Sequence, residues 1–369
     1  MKKNDWYTYL MRDVLERIEV PVNVEPDKEY VQIGIRSHGK GLFYKEPVLG
    51  KALGNKQVFW IQPNCFILNV VFAWEQAITK TTENEIGMIG SHRFPMYRPK
   101  NDLVDIDYLI YYFLTKRGTD ILEAASPGGA GRNRTLGQER FLKSKITLPT
   151  LPEQQKIAAI LSTQDKVIEL KEKLLAQKQQ QKKYLMQQLL TGKKRLSGFN
   201  EKWRFAKLEN VSKYSASAAS FKTYESHLGC GPYPVYDASG CFGNIDFYEN
   251  EQPYISIVKD GAGAGRVALC KEKSSTIGTL GCIFANDIDL LYLFYCMSAV
   301  DFQIYSNGST IPHVYYKDYK NMVLYLPCEL EQKAIVEILS AADHEIDLLQ
   351  KSIEAEKQKK KALMQLLLT

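Results

Sequence analysis

Two long stretches of the chain place apolar residues every three or four positions, which is the spacing of an amphipathic helix. They cover residues 153–191 and 331–369. At 1.5 Å per residue each helix would span roughly 58 Å, and a helix of that length needs a partner along it. The pattern predicts a coiled-coil pair. Its predicted interface, between the helices or with a partner, consists of Ile157, Leu161, Ile168, Leu175, Leu185, Leu189, Ile335, Leu339, Ile346, Ile353, Leu363 and Leu367.

The two stretches are also near-copies of each other. Shifted by 178 positions and without a gap, 19 positions are identical, where unrelated sequences would share about two or three. Solenoid repeats have periods of roughly 20 to 50 residues, so each copy here is a whole domain followed by its own helix. The predicted domains are a first globular domain (1–147), a first helical spacer (148–197), a second globular domain (198–325) and a second spacer (326–369).

The order domain, helix, domain, helix implies that the second helix runs back along the first. The predicted fold class is therefore α+β, with two similar mixed α/β domains separated by two long antiparallel coiled-coil helices and duplicated about a pseudo-twofold axis. Lys178, Lys182, Glu356 and Lys360 make the middle of the seam polar. These residues either set the helix register through cross-helix pairs or form a solvated stretch.

Further apolar residues lie beside the seam and widen it beyond a two-stranded contact. Either the globular domains or another protein would cover them. They are Ile160, Val167, Leu174 and Ile338.

The globular halves show shorter elements. In the second half, Tyr254–Val258 and residues 266–270 read as strands around a turn, and residues 290–299 read as a buried helix capped by Asp287 or Asp289. In the first half, residues 66–72 predict a strand and residues 108–116 the matching helix. Both halves are expected to share one fold.

Composition narrows the class of protein. A chain of 369 residues with 45% hydrophobic content can bury two ordinary cores. Its apolar runs are too short to cross a bilayer, which predicts a cytoplasmic protein. The seven cysteines form no C-x-x-C pair and are expected to be reduced. A net charge of +6 permits a polyanionic partner without requiring one.

Two motifs at the helices point to a known family. The helix start Leu151-Pro152-Glu153-Gln154-Gln155-Lys156-Ile157, preceded by Leu148-Pro149, and the ending Leu185-Met186-Gln187-Gln188-Leu189-Leu190-Thr191-Gly192 resemble the conserved regions of specificity subunits of type I restriction-modification systems. Trp203 and Trp6 occupy similar positions near the starts of the two globular domains, which correspond to the recognition domains of that family.

The resemblance implies a DNA-binding specificity subunit. Each recognition domain would read one half of a split, asymmetric site in double-stranded DNA. The helices would set the gap between half-sites and dock two methyltransferase subunits. The resemblance also allows a restriction-translocase subunit to join through those. The chain itself would be non-catalytic and hold no cofactor or metal, with S-adenosylmethionine bound by the methyltransferase partner.

Candidate DNA contacts are cations and polar residues in stretches that differ between the halves. Arginine can bind guanine through two hydrogen bonds, and long cations can neutralise phosphates. A solvated surface loop is the alternative for the first group, and a structural histidine is the alternative for His313. The candidates are His92, Arg93, Tyr97, Arg98 and Lys100 in a predicted loop; Arg132, Asn133 and Arg134; Asn307, Ser309, Thr310 and His313; and Lys259 with Arg266.

Two other classes of protein stay open on the sequence. The glycine-rich stretch 261–265 resembles a nucleotide or S-adenosylmethionine loop, which would suit a DNA methyltransferase. However, an apparent strand follows it rather than a helix, and the Asn/Asp-Pro-Pro-Tyr/Phe motif of amino-methyltransferases does not occur. A coiled-coil tether or adaptor would explain the helices, but not the two diversified domains.

Overall fold

A computed structural model describes residues 6–54, 57–128, 134–308 and 311–368. The chain divides into two units. Unit 1 comprises residues 1–171 and 352–369, and unit 2 comprises residues 172–351. The division falls within both long helices, so each unit contains a piece of each helix together with one globular domain.

Unit 1 contains the strands β1 to β12 and the helices α1 to α4. The strands are β1 (Tyr7–Leu10), β2 (Leu15–Ile18), β3 (Glu29–Tyr30), β4 (Ile33–Ile35), β5 (Leu42–Tyr44), β6 (Val48–Leu49), β7 (Val58–Trp60), β8 (Phe66–Leu68), β9 (Ile78–Lys80), β10 (Ile89–Ser91), β11 (Met96–Pro99) and β12 (Lys145–Leu148). The helices are α1 (Met11–Val14), α2 (Ile106–Phe113), α3 (Lys116–Ala125) and α4 (Gln138–Lys143).

The first long helix, α5, runs over Leu151–Leu189. Unit 2 continues with β13 (Arg204–Lys207), α6 (Leu208–Val211), β14 (Ser212–Ser215), α7 (Phe221–Glu225), β15 (Tyr233–Asp237), β16 (Gly240–Ile245), β17 (Tyr254–Val258), β18 (Val267–Cys270), β19 (Ser275–Thr276), β20 (Leu280–Ala285), α8 (Leu290–Ser298), β21 (Ser306–Asn307), β22 (His313–Val314), α9 (Tyr316–Tyr319) and β23 (Val323–Leu326). The second long helix, α10, covers Glu329–Leu368.

Each unit is built around an antiparallel four-stranded sheet. Its order is β2-β11-β8-β9 in unit 1 and β14-β20-β17-β18 in unit 2. A second, two-stranded ribbon, β1-β12 or β13-β23, leads into the long helix that follows it. The two halves therefore share one fold, as the duplication predicted.

The same arrangement of apolar side chains joins sheet and helices in each unit. In unit 1, Ile157 and Leu161 of α5 and Leu368 of α10 belong to the main core of the domain. In unit 2, Leu189 of α5 with Ile335 and Leu339 of α10 do the same. Other seam residues, including Leu175, Leu185, Ile346, Leu363 and Leu367, are half-buried. The ends of the helices are thus part of the domain cores.

Several expected elements of the second half have the predicted form. Strand β17 covers the predicted residues, and α8 begins after Asp289, whose carboxylate accepts a hydrogen bond from the Tyr292 amide at 2.9 Å. Asp289 is therefore the cap, and Asp287 is not.

The first half differs more from expectation. The strand predicted over residues 66–72 ends at Leu68, and the helix begins at Ile106 rather than at Tyr108. Asp105 caps that helix by accepting from the Tyr108 amide at 2.8 Å. The structural counterpart of Asp105 is thus Asp289, although the sequence Asp-Ile-Asp at residues 105–107 recurs at residues 287–289 and would match Asp105 to Asp287.

Candidate nucleic-acid interface

In unit 2 the turn between β17 and β18 is bonded to the loop that precedes β22. The Gly261 amide donates to the Pro312 carbonyl at 3.0 Å, and the Val314 amide donates to the Lys259 carbonyl at 2.8 Å. The His313 imidazole lies 2.7 Å from the Asp260 carboxylate. Two groups of candidates that are far apart in sequence, Lys259 with Arg266 and Asn307 with His313, thereby share one edge of the domain. We call it the unit 2 edge.

The side chains of Arg266, Asn307 and His313 at this edge have partners within the protein. The Arg266 guanidinium donates to the carbonyl of Ala238, in the turn between β15 and β16. The Asn307 amide donates to Asp318 at 2.9 Å. His313 also stacks on Tyr315, with 5.9 Å between the ring centroids. The structural role proposed as the alternative for His313 is thus supported, although its ring remains about one-third exposed.

The glycine-rich stretch forms the tight turn of this edge. Gly261 and Gly265 have φ angles of +90° and +88°, which residues with a side chain rarely adopt. A Cβ on Gly265 would also lie 2.4 Å from the Cβ of Phe302. Because β18 follows directly, the turn presents no helix N-terminus to a phosphate. This geometry favours a hairpin turn over a nucleotide loop.

Unit 1 has a corresponding edge at the connection between β8 and β9. The Val70 amide donates to the Arg93 carbonyl at 3.0 Å, and the Leu136 amide donates to the Val70 carbonyl at 2.7 Å. Residue 70 therefore ties together the stretches that carry two groups of candidates, His92 with Arg93 and the segment ending at Arg134. We call this the unit 1 edge.

A groove of about 350 Å³ lies at the unit 1 edge. Its lining mixes cations, amides and apolar groups. The lining residues are Gln32, Lys45, Asn69, Val71, Phe72, Ser91, His92, Arg93 and Phe94. Beside it, the Arg134 guanidinium carbon lies 5.4 Å from the ring centroid of Trp74. The sequence analysis did not propose Asn69, Phe72 and Trp74. Their position could have identified them, because the turn that contains them corresponds to residues 259–266 of unit 2.

The predicted loop around residues 92–100 is wrong in its second half. Residues 96–99 form β11, in the middle of the sheet. The side chain of Tyr97 is 0% exposed and packs against Phe141, and burial raises its pKa above the usual value. Tyr97 is therefore a core residue, unable to reach DNA in this conformation.

Arg98 and Lys100 are exposed, but the strand carries them away from His92 and Arg93. Arg98 lines a different cavity, together with Leu151 and Gln155 at the start of α5, and the Lys100 amide bonds the Val14 carbonyl at 2.8 Å. The structure thus does not bring these two residues to the unit 1 edge. The candidates Arg132, Asn133, Ser309 and Thr310 lie outside the described residues.

Cross-helix ion pairs occur in both units and favour the register interpretation of the polar seam. In unit 1, Lys171 pairs with Glu356 at 2.7 Å and Lys360 with Asp165 at 2.5 Å. The amide of Gln164 also donates to Glu356 at 2.7 Å. Residue numbers rise on α5 as they fall on α10, so the helix segments are antiparallel.

Unit 2 shows the same direction and a similar chemistry. Lys178 pairs with Glu345 at 2.7 Å, and Lys182 pairs with Asp343. The polar stretch of the seam is thus ordered by charge pairs, and Lys178, Lys182, Glu356 and Lys360 all take part.

The chemistry of the remaining side chains adds little to the site. All seven cysteines are free, and Cys65, Cys270, Cys282 and Cys296 are buried. Among the residues that the structure describes, no cluster of His, Cys, Asp and Glu could hold a metal ion. The same portion of the chain contains no helix that is both long and apolar enough to cross a membrane.

Comparison with known proteins defines the class. The family model of the type I restriction modification DNA specificity domain matches residues 24–180 and again residues 200–357. The chain belongs to this family and contains the domain twice. The predicted family and the predicted fold class are thereby confirmed.

Individual relatives agree with this assignment. The chain is 26% identical over 299 residues to a putative type I restriction enzyme MjaX specificity subunit of Methanocaldococcus jannaschii, covering 74% of this chain and 70% of the relative. It is 37% identical over 131 residues to the MjaVIII specificity subunit of the same organism, covering 34% and 30%.

Solved structures share the fold. The S subunit of a type I restriction-modification system from M. genitalium aligns over 100% of this chain and 97% of its own, with a TM-score of 0.64 and 15% identity. The HsdS subunit from Thermoanaerobacter tengcongensis aligns over 99% and 97%, with a TM-score of 0.53 and 17% identity. The likeness therefore covers both domains and both helices.

Proposed function

We propose that this specificity subunit reads a bipartite, asymmetric DNA site, with one half-site recognised by each unit. The observation that carries the proposal is the comparison of the two edges. Both join a hairpin turn of the central sheet to the segment after a helix, α3 in unit 1 and α8 in unit 2, yet their side chains differ. One scaffold with two different surfaces suits a site whose halves have different sequences.

The chemistry of each edge suits base recognition in the major groove. The unit 1 edge presents His92, Arg93 and the amide of Asn69, whose side-chain oxygen also accepts from the Val71 amide at 3.1 Å. Arginine pairs with guanine and asparagine with adenine through paired hydrogen bonds. The unit 2 edge presents Lys259, the Asp260 carboxylate and His313. A carboxylate can accept from the amino group of cytosine, so the two edges favour different bases.

The long helices offer matching surfaces for protein partners. Leu170 in unit 1 and Leu348 in unit 2 occupy the same position of the repeat, and they are 56% and 52% exposed. Large apolar side chains at equivalent exposed positions suit two copies of the same partner. We propose two methyltransferase subunits as these partners, and a restriction subunit would join the complex through them. Ile160 and Leu174, also exposed, would extend these surfaces.

We assign the methyl-transfer chemistry to those partners and not to this chain. The glycine-rich stretch is a hairpin turn, and the sequence lacks the tetrapeptide that holds a target amino group. S-adenosylmethionine would then bind to the methyltransferase subunit. The complex would act on cytoplasmic DNA, with the helices fixing the gap between half-sites.

The test is to sequence the methylated sites of a host that expresses this chain with its methyltransferase, alongside a host from which this chain is deleted. A split asymmetric motif that disappears on deletion is expected. An unchanged methylome despite an active methyltransferase would instead support a tether or adaptor. Methyl transfer to duplex DNA by the purified chain alone would refute the non-catalytic assignment.

Single substitutions then assign the half-sites. Arg93→Ala should relax or change one half of the motif and leave the other half intact, because a base contact is worth about 1–3 kcal/mol of discrimination. Lys259→Ala should affect only the other half. Arg12→Ala and Lys271→Ala are matched controls, since both side chains are exposed away from the edges. If Arg93→Ala altered both halves equally, assigning one half-site to each unit would be wrong.

A further inference from the structure

The same group of three side chains, Tyr, Asp and Lys, is found in both units. In unit 1 the Tyr111 hydroxyl, on α2, donates to the Asp165 carboxylate of α5 at 2.8 Å. Lys360 of α10 pairs with the same carboxylate at 2.5 Å, and its ammonium lies 5.5 Å from the centroid of the Tyr111 ring. One carboxylate therefore links the globular domain to both long helices.

Unit 2 repeats this group with the helices exchanged. The Tyr295 hydroxyl, on α8, donates to Asp343 of α10 at 2.8 Å. Lys182 of α5 pairs with Asp343, and its ammonium lies 5.5 Å from the centroid of the Tyr295 ring. Burial and the Asp343 carboxylate, opposed by the Ser340 hydroxyl, raise the pKa of Tyr295 to about 12. Tyr295 thus remains a neutral donor near pH 7.

The positions of the three residues follow the duplication. Asp165 and Asp343, like Lys182 and Lys360, are related by the repeat offset of 178 positions. Tyr111 and Tyr295 each come six positions after the aspartate that caps their helix. We call the two groups polar clamps.

A buried glutamine holds each domain at a second point. The Asp105 amide donates to the side-chain oxygen of Gln154, and the Asp289 amide to that of Gln332, both at 2.9 Å. Gln154 and Asp165, like Gln332 and Asp343, are 11 positions apart, which is about three turns and nearly the same helix face. Two fixed points along one face leave the domain little freedom to rotate about the long helix.

We propose that the polar clamps are positioning sites that set the orientation of each reading domain on its helix pair, and thereby the gap at which both half-sites can be read. Apolar packing alone is non-directional. Hydrogen bonds and ion pairs to one carboxylate, by contrast, define the angle between the domain and the helices. The same carboxylate also fixes the register of the two helices. This inference rests on the proposed reading of two half-sites.

The experiment uses the full chain in complex with its methyltransferase. Duplexes carry the two half-sites found in the wild-type methylome, separated by gaps that vary one base pair at a time, and the methylation rate is measured for each gap. In Tyr111→Phe/Tyr295→Phe, we expect the preference for the wild-type gap over its neighbours to fall by at least about threefold, because each substitution removes a hydroxyl that donates to a carboxylate. The half-site sequences should not change.

Two further variants make the test specific. Lys182→Met/Lys360→Met removes the other arm of each clamp and should broaden the gap in the same way. Tyr108→Phe is the matched control, because this tyrosine lies on α2 and its buried hydroxyl has no hydrogen-bond partner among the described residues. Its gap preference should equal that of the wild type.

The possible failures are distinguishable. If the wild-type complex modifies no split motif, the proposed function fails. If it does, and both double variants keep the wild-type gap preference, only the clamp proposal fails. Broadening by Tyr108→Phe, or unfolding of either double variant, would also overturn the proposal, because the clamps would then be general supports of stability.

Discussion

Units 1 and 2 agree where the domain meets the helices and differ where it faces outwards. Both attach their capped helix to a buried glutamine and both close a polar clamp on the helix pair. By contrast, the unit 1 edge is a groove with His92 and Arg93, and the unit 2 edge is a tight glycine turn beside His313. The attachment of domain to helices is thus duplicated, whereas the edges have diverged, as the proposed reading of two different half-sites requires.

The largest effect expected within this comparison comes from the buried glutamines. Gln154→Leu would leave the Asp105 amide and the Leu103 and Pro149 carbonyls without their partner. We expect the free energy of unfolding to fall by about 3 kcal/mol, since unsatisfied buried groups cost about 1–3 kcal/mol each. Gln332→Leu should cost a similar amount. Chemical denaturation of each variant measures both.

Gln155→Leu is the control for this prediction, because the neighbouring side chain is exposed. A clear loss in one unit with none in the other would show that the two attachments are not equivalent in energy, despite their matching geometry.

A smaller effect on thermal stability should distinguish Glu331 from Glu153, its counterpart in the repeat. Glu331 is 0% exposed and binds Arg195 through two bonds of 2.7 Å and the Trp203 indole at 2.9 Å. Glu153, at the same position of the repeat, is only half-buried. Glu331→Gln should therefore lower the thermal midpoint more than Glu153→Gln, because it weakens a desolvated ion pair. Equal shifts in differential scanning calorimetry would contradict this asymmetry.

The smallest effect concerns acid stability in unit 1. Hydrogen bonds from Lys171 and Gln164 lower the pKa of Glu356 below its ordinary value of 4.5. A carboxyl group whose pKa is lowered on folding stabilises the protein above its unfolded pKa, and that contribution is lost as the pH falls below it. Between about pH 5 and pH 3, Glu356→Gln should lose less stability than the wild type.

Glu354→Gln is the matched control on the same helix, where the residue is exposed. Thermal midpoints measured across this pH range test the prediction. If the thermal midpoints of Glu356→Gln and of the wild type fell equally with decreasing pH, the Lys171 and Glu356 pair would have no stabilising role.

The sequence predicted the helices well because their structure follows from a local period. Apolar spacing located α5 and α10 within a few residues, and the duplication predicted a shared domain fold. Asp289 could be proposed as a cap because capping depends on three neighbouring residues. These features need no knowledge of distant contacts.

The edges could be predicted only in part, since they depend on which strands become neighbours. Tyrosine is a residue type that suits an interface, but β11 places Tyr97 in the core. The unit 1 edge needs the pairing of residue 70 with residues 93 and 136, which no local pattern encodes. The clamps are partly visible in the sequence, because Asp165 matches Asp343 and Lys182 matches Lys360 between the repeats. Their tyrosines could not be assigned before the correspondence of the capping residues was known.

The clamp also defines what a replacement domain must supply. Gln154, Asp165 and Lys360 all belong to the long helices, and the recognition domain contributes to the polar contacts a capping aspartate and a tyrosine six positions later. A recombined recognition domain that keeps those two residues, together with the apolar surface against the helix ends, would attach to the helices in the same way, whatever DNA sequence it recognises. New DNA specificities could therefore arise by exchange of domains without any redesign of the parts that hold them.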